Sequence, residues 1–379
     1  MNAIRQVTHI LICPSKSTNE NNMNIGNSFT KKNNFTLLRL LAAMSVLYGH
    51  SYALSIGVNG LEDPLSTILI TYWGESLPNL AVDLFFVVSG FLVTASYCQR
   101  NNFYAFSEAR LLRIFPGLIV AIFFCVFIVG PLSIKVQLSD YFTSPTTWAY
   151  IKHNIILLNG IQFDLPHVFM SNPYPMSVNG SLWTLPIEFW MYIFIAILGL
   201  SSILSNRAIY NAVLLFAILL YSQTNSSLLI FHDQRTAQLG LLFFLGGFFY
   251  INKKEIPFGF KWLAILALLT FLTKGYGVHI VLKAALLAYF ILIIALHPWM
   301  RLPSIDRYGD ISYGLYIYAF PVQQLLAQFI PGITPLKMFF CSLLITIILA
   351  YLSWRYIEKP ALSLKGKMPF GKHKEDVRL

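Results

Sequence analysis

The stretch that decides the fold reads Phe35-Thr-Leu-Leu-Arg39-Leu-Leu-Ala-Ala-Met-Ser-Val-Leu-Tyr-Gly-His50-Ser-Tyr-Ala-Leu54. It is apolar apart from one arginine and one histidine, and at roughly 20 residues it is long enough to cross a bilayer as a helix. Between Arg39 and His50 the helix turns by about 1100°, only about 20° past three full turns, and rises about 16 Å. Both side chains are therefore expected on one stripe. Ionisable groups inside a membrane cost free energy unless they face a polar interior, so the stripe is read as the wall of a polar passage. The alternative is a buried arginine tying helices together and a histidine bonded to a neighbour.

The rest of the chain extends this reading. Of its 379 residues, 56% are hydrophobic and 11% charged, against about 25% charged in a soluble protein. The expected fold is all-α, a polytopic membrane helix bundle of about ten transmembrane helices. The spans fall near 36–56, 80–98, 114–132, 181–200, 208–224, 236–251, 262–274, 280–297, 311–330 and 337–357, the seventh being short. Residues 148–160 are moderately apolar and suit the interface. The proline-containing segment 132–180 is expected to be irregular and to act as a lid or acceptor surface. Residues 1–34, rich in Asn and Ser, read as a disordered cytoplasmic tail in which Met23 is a second candidate start. Residues 35–360 form the transmembrane domain, and 361–379 a basic cytoplasmic tail.

The net charge of +11 does not mark a nucleic-acid binder, because the cations are spread through short segments between spans and form no basic domain. With the N-terminus inside, all but six of the 27 Lys and Arg residues fall on that side, the six being Lys135, Lys152, Arg235, Lys274, Lys283 and Lys337. This asymmetry predicts an even span count with both termini cytoplasmic. No metal site is expected: neither the four cysteines nor the histidines have ligand spacing. Asn-x-Ser/Thr triplets at Asn34, Asn179 and Asn225 are short enough to arise by chance.

Further polar residues stand out against the apolar background. Arg110 and Arg113 share a helix face at the mouth of the third span. They are either topological anchors or a site for a phosphate-rich ligand, since a guanidinium binds phosphate bidentately. Glu188, in Ser181-Leu-Trp-Thr-Leu-Pro-Ile-Glu188, lies about 10 Å below the outer end of its span, and His50 about 9 Å below its own. Equal depth suggests that the carboxylate meets the imidazole and fixes its tautomer. Asp83, Ser89 and Tyr313 are additional polar candidates, with Asp83 read either as a site residue or as the partner of a Lys or Arg.

Six segments in order carry a resemblance to the acyltransferase-3 family of integral membrane acyltransferases. They are Arg39 with His50, Val82-Asp-Leu-Phe-Phe-Val-Val-Ser89-Gly-Phe-Leu92, Arg110-x-x-Arg113, Ser181 to Glu188, Ser312-Tyr313-Gly-Leu-Tyr-Ile-Tyr318, and Tyr356-Ile-Glu-Lys-Pro360. The resemblance runs from about residue 33 to 360. It implies transfer of an acyl group, usually acetyl, from cytoplasmic acyl-CoA to a sugar hydroxyl of a cell-surface polysaccharide or its lipid-linked precursor, in a bacterial inner membrane. His50 then matches the essential histidine, with Arg39 its partner. On the reading of the residues, His50 acts as general base or acyl carrier, and Glu188 orients or charge-balances it. Arg110 and Arg113 match the arginines tied to coenzyme A. Acetyl-CoA is a donor substrate, so no permanently bound cofactor is expected. One departure is Ala319-Phe320-Pro321, where many relatives have His-x-Pro. Another is the lack of a fused hydrolase-like domain, which implies direct acylation of the acceptor. The rival readings are a transporter of a sugar or anion along the same stripe, and the same chemistry with succinyl or another acyl group.

Overall fold

A computed structural model describes residues 24–29, 33–57, 62–158, 160–223, 233–303, 305 and 309–367. Met23, Cys13, His9, His232, His373, the triplet at Asn225 and residues 368–379 of the expected C-terminal tail lie outside them.

Each predicted span corresponds to a helix. These are α1 (Phe35–Ile56), α2 (Leu77–Arg100), α3 (Phe103–Phe124), α4 (Thr184–Leu200), α5 (Arg207–Gln223), α6 (Gln234–Ile251), α7 (Phe260–Leu272), α8 (Val278–Leu296), α9 (Ser312–Phe329) and α10 (Pro335–Ser353). No β-strand occurs among the described residues, only an isolated bridge between Asn24 and Pro257. Among the described residues, six helical stretches are long and apolar enough to cross a membrane: α1, α2, α3 with its extension to Ser133, Gly180–Leu200, α8, and α10 with its extension to Leu362. The count of ten crossings is thus an expectation that the helices fit without all meeting that criterion. α5 and α7 are short in apolar length. α6 and α9 are long enough but not apolar enough, and in α9 all of Ser312–Gln324 is buried inside the protein. A helix wrapped by other helices carries polar groups without meeting lipid. Gln323 donates to Leu47 O and Ser51 Oγ at 2.9 and 2.8 Å, and Gln324 to Tyr174 O and Ser177 O at 2.8 and 2.6 Å.

The most extensive packing joins α2 to α6, and α1 lies against both α2 and α9. Glycines permit the first contact. A Cβ on Gly90 would fall 1.9 Å from Phe243 O, and one on Gly246 would fall 2.3 Å from Val87 O. Small residues let helix backbones approach closely where lipid supplies no hydrophobic drive for association.

Two π-helical turns extend long helices, Cys125–Val129 after α3 and Trp354–Glu358 after α10. Such turns shift the side chains beyond them relative to a regular helix. Segment 132–180 is only partly irregular: it holds helices Leu138–Thr143 and Pro145–Ile156 before a loop with positive φ at His167, Phe169 and Met176. That loop is bound to α9 by Asn172 and Asn179, which donate to Gln324 O and Ile317 O at 2.9 and 2.8 Å.

The expectation of a disordered tail through residue 34 fails for its described part. Ile25 is fully buried, and Phe29 packs edge-on against Phe91 at 5.2 Å. Asn34 donates to Ile294 O and Met300 O at 2.7 and 2.6 Å. Apolar and amide side chains in an otherwise polar segment supply these anchors. Asn34 and Asn179 are both buried, so neither triplet presents a free amide.

Candidate active site

Several polar residues of the spans converge on one chamber. Arg39 lies in the second turn of α1, Arg110 and Arg113 in the first half of α3, Ser312 and Tyr313 at the start of α9, and Glu358 in the π turn after α10. They surround a chamber of about 110 Å³, lined by Arg39, Ser89, Arg110, Arg113, Thr184, Glu188, Tyr192, Ser312, Tyr313 and Tyr316 with apolar residues of α2.

Asp310 organises its arginines. This residue lies between α8 and α9. It pairs with Arg39 and, at 2.7 Å, with Arg113. Its other oxygen accepts from Ser312 N and Oγ at 3.3 and 2.5 Å. Burial opposes ionisation of Asp310, but Arg39, Arg113 and Ser312 outweigh it and hold the carboxyl well below the usual carboxylate range. Arg113 has a second anion at 3.6 Å, Glu358, whose other oxygen accepts from Ser353 Oγ at 3.1 Å. Arg113 also lies over the Tyr313 ring, 5.8 Å from its centroid, and Tyr313 donates to Ile114 O at 2.9 Å.

The two arginines of Arg110-x-x-Arg113 are therefore unlike. Arg113 is neutralised by two carboxylates. Arg110 makes no ion pair among the described residues. Its guanidinium lies over the rings of Phe106 and Tyr192, 5.9 and 5.6 Å from the centroids, and its Nε is enclosed without a hydrogen-bond partner. Of the three chamber arginines, Arg110 is the one without an ion pair among the described residues, with Glu188 in the same chamber wall.

Glu188 is held by Ser89 and Tyr192, both donating to Oε1, at 3.1 and 2.6 Å. The expected bond to His50 is not formed: no hydrogen bond or ion pair joins the two. Equal depth did not bring them together because depth says nothing of the direction each side chain takes round its helix. His50 is half-buried and outside the chamber lining. Its ring meets Phe320 edge-on at 5.3 Å, and its Nδ1 is enclosed without a hydrogen-bond partner. Phe320 is the middle residue of Ala319-Phe320-Pro321, so the segment that departs from His-x-Pro supplies the histidine's neighbour.

Asp83 takes its structural alternative. It is fully buried, pairs with Arg235 at 2.8 Å and accepts from Gln238 at 3.3 Å, joining α2 to α6 away from the chamber. Among the described residues, no group of His, Cys, Asp and Glu is placed to hold a metal ion.

Asp310, Tyr192 and a role for Glu358 were missed in the sequence. The signal for the first was available: acids number only 16 in the chain, and a buried arginine needs one of them. Asp310 stands two residues before the Ser312-Tyr313 segment.

With this geometry in view, the chain belongs to the acyltransferase-3 family: the acyltransferase-domain model matches residues 32–355. It is similar to the O-acetyl transferase of Shigella phage Sf6, 29% identical over 354 residues, 88% of this chain and 97% of that one. It is also similar to nodulation protein 10 of Rhizobium leguminosarum bv. viciae, 29% identical over 89% of this chain and 95% of that one. With O-acetyltransferase OatA of Staphylococcus aureus it shares 25% identity over 74% of its length, which spans 52% of OatA. No solved structure matches. The chain is an O-acyltransferase built as a membrane helix bundle, which sets aside the transporter reading.

Proposed function

We propose that this enzyme transfers an acetyl group from cytoplasmic acetyl-CoA to a sugar hydroxyl of a cell-surface polysaccharide or its lipid-linked precursor, in a bacterial inner membrane with both termini cytoplasmic. The observation that carries the reading is Arg110, a chamber cation in no ion pair among the described residues, beside an Arg113 paired with Asp310 and Glu358. A phosphate of the donor supplies the missing anion, and the acyl-pantetheine arm runs into the chamber. Arg39 and Arg113, locked by Asp310, hold the chamber walls.

His50 is the base of the reaction. The sugar hydroxyl oxygen attacks the thioester carbonyl, its proton passes to His50, and collapse of the adduct breaks the carbon–sulfur bond. The departing thiolate then takes the proton back. Glu188, held by Ser89 and Tyr192 in the chamber wall, acts on the donor side and does not orient His50. Acetyl is favoured over succinyl by the names of two relatives, O-acetyl transferase and O-acetyltransferase OatA.

The test uses the purified enzyme in nanodiscs with labelled acetyl-CoA, alongside mass spectrometry of surface glycans from strains carrying each variant. His50→Ala is expected to lose acetylation by about 10²–10⁴-fold at normal protein level. Without acceptor, no label should remain on wild-type His50. Stable label there would replace the base by an acyl-histidine, and full acetylation by His50→Ala would remove His50 from the chemistry.

A further inference from the structure

The last described residues do not trail away from the bundle. After the π turn that carries Glu358, residues 359–367 form one helical turn (Lys359–Leu362) and a series of reverse turns. Ser363 N donates to Lys359 O and Pro360 O, each at 3.1 Å, and Lys367 N to Leu364 O at 2.9 Å. Gly366 has φ +75°, a conformation other residues rarely adopt. Its N–H donates to Glu108 Oε2 at 2.8 Å. Glu108 is buried in α3, half a turn before Arg110. This bond fixes the strap over the opening turns of α3.

Lys365 is thereby placed among cations. The charged groups acting on it most strongly are Arg110, Arg100 and Arg113, with Glu108 the one acid among them. Partial burial and those three guanidinium groups push Lys365 down to about 8. Arg113 is compensated by Asp310 and Glu358. Arg100, at the end of α2, donates only to Ser96 Oγ, at 3.1 Å, among the described residues. Lys365 thus lies among Arg100, Arg110 and Arg113 with Glu108 the acid acting on it, while Glu188 faces Arg110 from the chamber. Like charges held together in this way favour an anionic ligand, most of all one offering several phosphate oxygens. Arg110 also lines the chamber, so the cation cluster and the chamber are continuous through one side chain. Lys365 lies beyond residue 355, where the family match ends.

We propose that Lys365, with Arg100 and Arg110, forms a phosphate-binding mouth to the chamber, built partly by the C-terminal strap, which grips the nucleotide phosphates of the donor. The proposal rests on the reading of acyl-CoA as donor. Lys365 acts on donor capture and takes no part in the chemical step.

Initial rates are measured in nanodiscs of phosphatidylcholine, with acetyl-CoA and with acetyl-pantetheine, which lacks the nucleotide phosphates. Lys365→Ala is expected to raise KM for acetyl-CoA about tenfold, the size of one lost charge-assisted hydrogen bond, with kcat unchanged. Lys365→Arg restores most of it, and acetyl-pantetheine is used equally by all three proteins. Unchanged KM in Lys365→Ala overturns the proposal, as does an equal loss with acetyl-pantetheine. An effect seen only when phosphatidylglycerol is added assigns the cluster to lipid headgroups and also overturns it. A wild-type enzyme inactive with acetyl-CoA refutes the donor reading itself. A wild-type enzyme active with acetyl-CoA and indifferent to Lys365 refutes only the mouth.

Discussion

Asp310 joins α1, α3 and α9 through one carboxylate, and its loss leaves two partly buried guanidinium groups with less compensation. Breaking a buried pair by removing one partner costs about 3–5 kcal/mol. Asp310→Asn keeps the shape and removes the charge, so it is expected to lower the unfolding temperature in detergent while the bundle still assembles. The pH dependence has a definite sign. A carboxyl held below its usual range stabilises the fold above its unfolded value, about 3.9, and loses that contribution as pH falls toward the folded one. The gap in stability between wild type and Asp310→Asn should be constant from about pH 8 to 5 and shrink below about pH 4. A gap that instead closes between pH 6 and 8 would mean that the carboxylate is not held ionised by Arg39 and Arg113. At this scale the sequence was half legible. Arg39, Arg110 and Arg113 were conspicuous because each interrupts an apolar run. Asp310 was not, because it lies in a polar connection where a carboxylate raises no question. The Glu188–His50 pairing was inferred from depth alone, and a helix also fixes direction, which sent Glu188 to Ser89 and Tyr192.

The helices themselves were readable because hydrophobic length and termination are local properties. Every expected span became a helix, including the short seventh, Phe260–Leu272. What sequence did not show was which helices other helices would cover. α9 reads as one more apolar span, yet it is the buried post carrying Gln323 and Gln324 as well as Tyr313. The two π turns were equally hidden, since no residue type marks them, and one of them holds Glu358 near Arg113. The α2–α6 contact depends on an element of another kind, the bare backbone at Gly90. Gly90→Ala is expected to lower the thermal stability of the purified protein by about 1–3 kcal/mol of overpacking. Alanine's better helix preference, about 1 kcal/mol, works in the opposite direction. The clash wins because the methyl would sit 1.9 Å from a backbone oxygen, Phe243 O, which cannot rotate aside as a side chain would. An unfolding temperature equal to or above that of wild type would show that α2 and α6 have room to separate.

Across the whole molecule, two independent observations bear on topology. The first is charge: all but six of the 27 Lys and Arg residues fall on one side of the expected spans, as the positive-inside rule requires of a cytoplasmic face. The second is the ion network. Arg39 near the start of α1, Arg113 midway along α3, and Glu358 just after α10 are linked through Asp310 and Arg113 itself. On the expected spans, a network gathered at one face calls for an even number of crossings between Arg39 and Glu358. That conclusion does not depend on whether the short helices α5 and α7 cross. It also places the Lys365 strap at the same end as the chamber mouth, where a cytoplasmic donor would enter. Paired fluorescent-protein and alkaline-phosphatase fusions after Lys254, between α6 and α7, and at the C-terminus should therefore both fluoresce and both lack phosphatase activity. A phosphatase-active C-terminal fusion would contradict the even count and with it the shared face of Arg39, Arg113 and Glu358. A phosphatase-active fusion at Lys254 with a fluorescent C-terminus would leave that network standing. It would require one helix of α3 to α6 and one of α7 and α8 to lie within the membrane without crossing it.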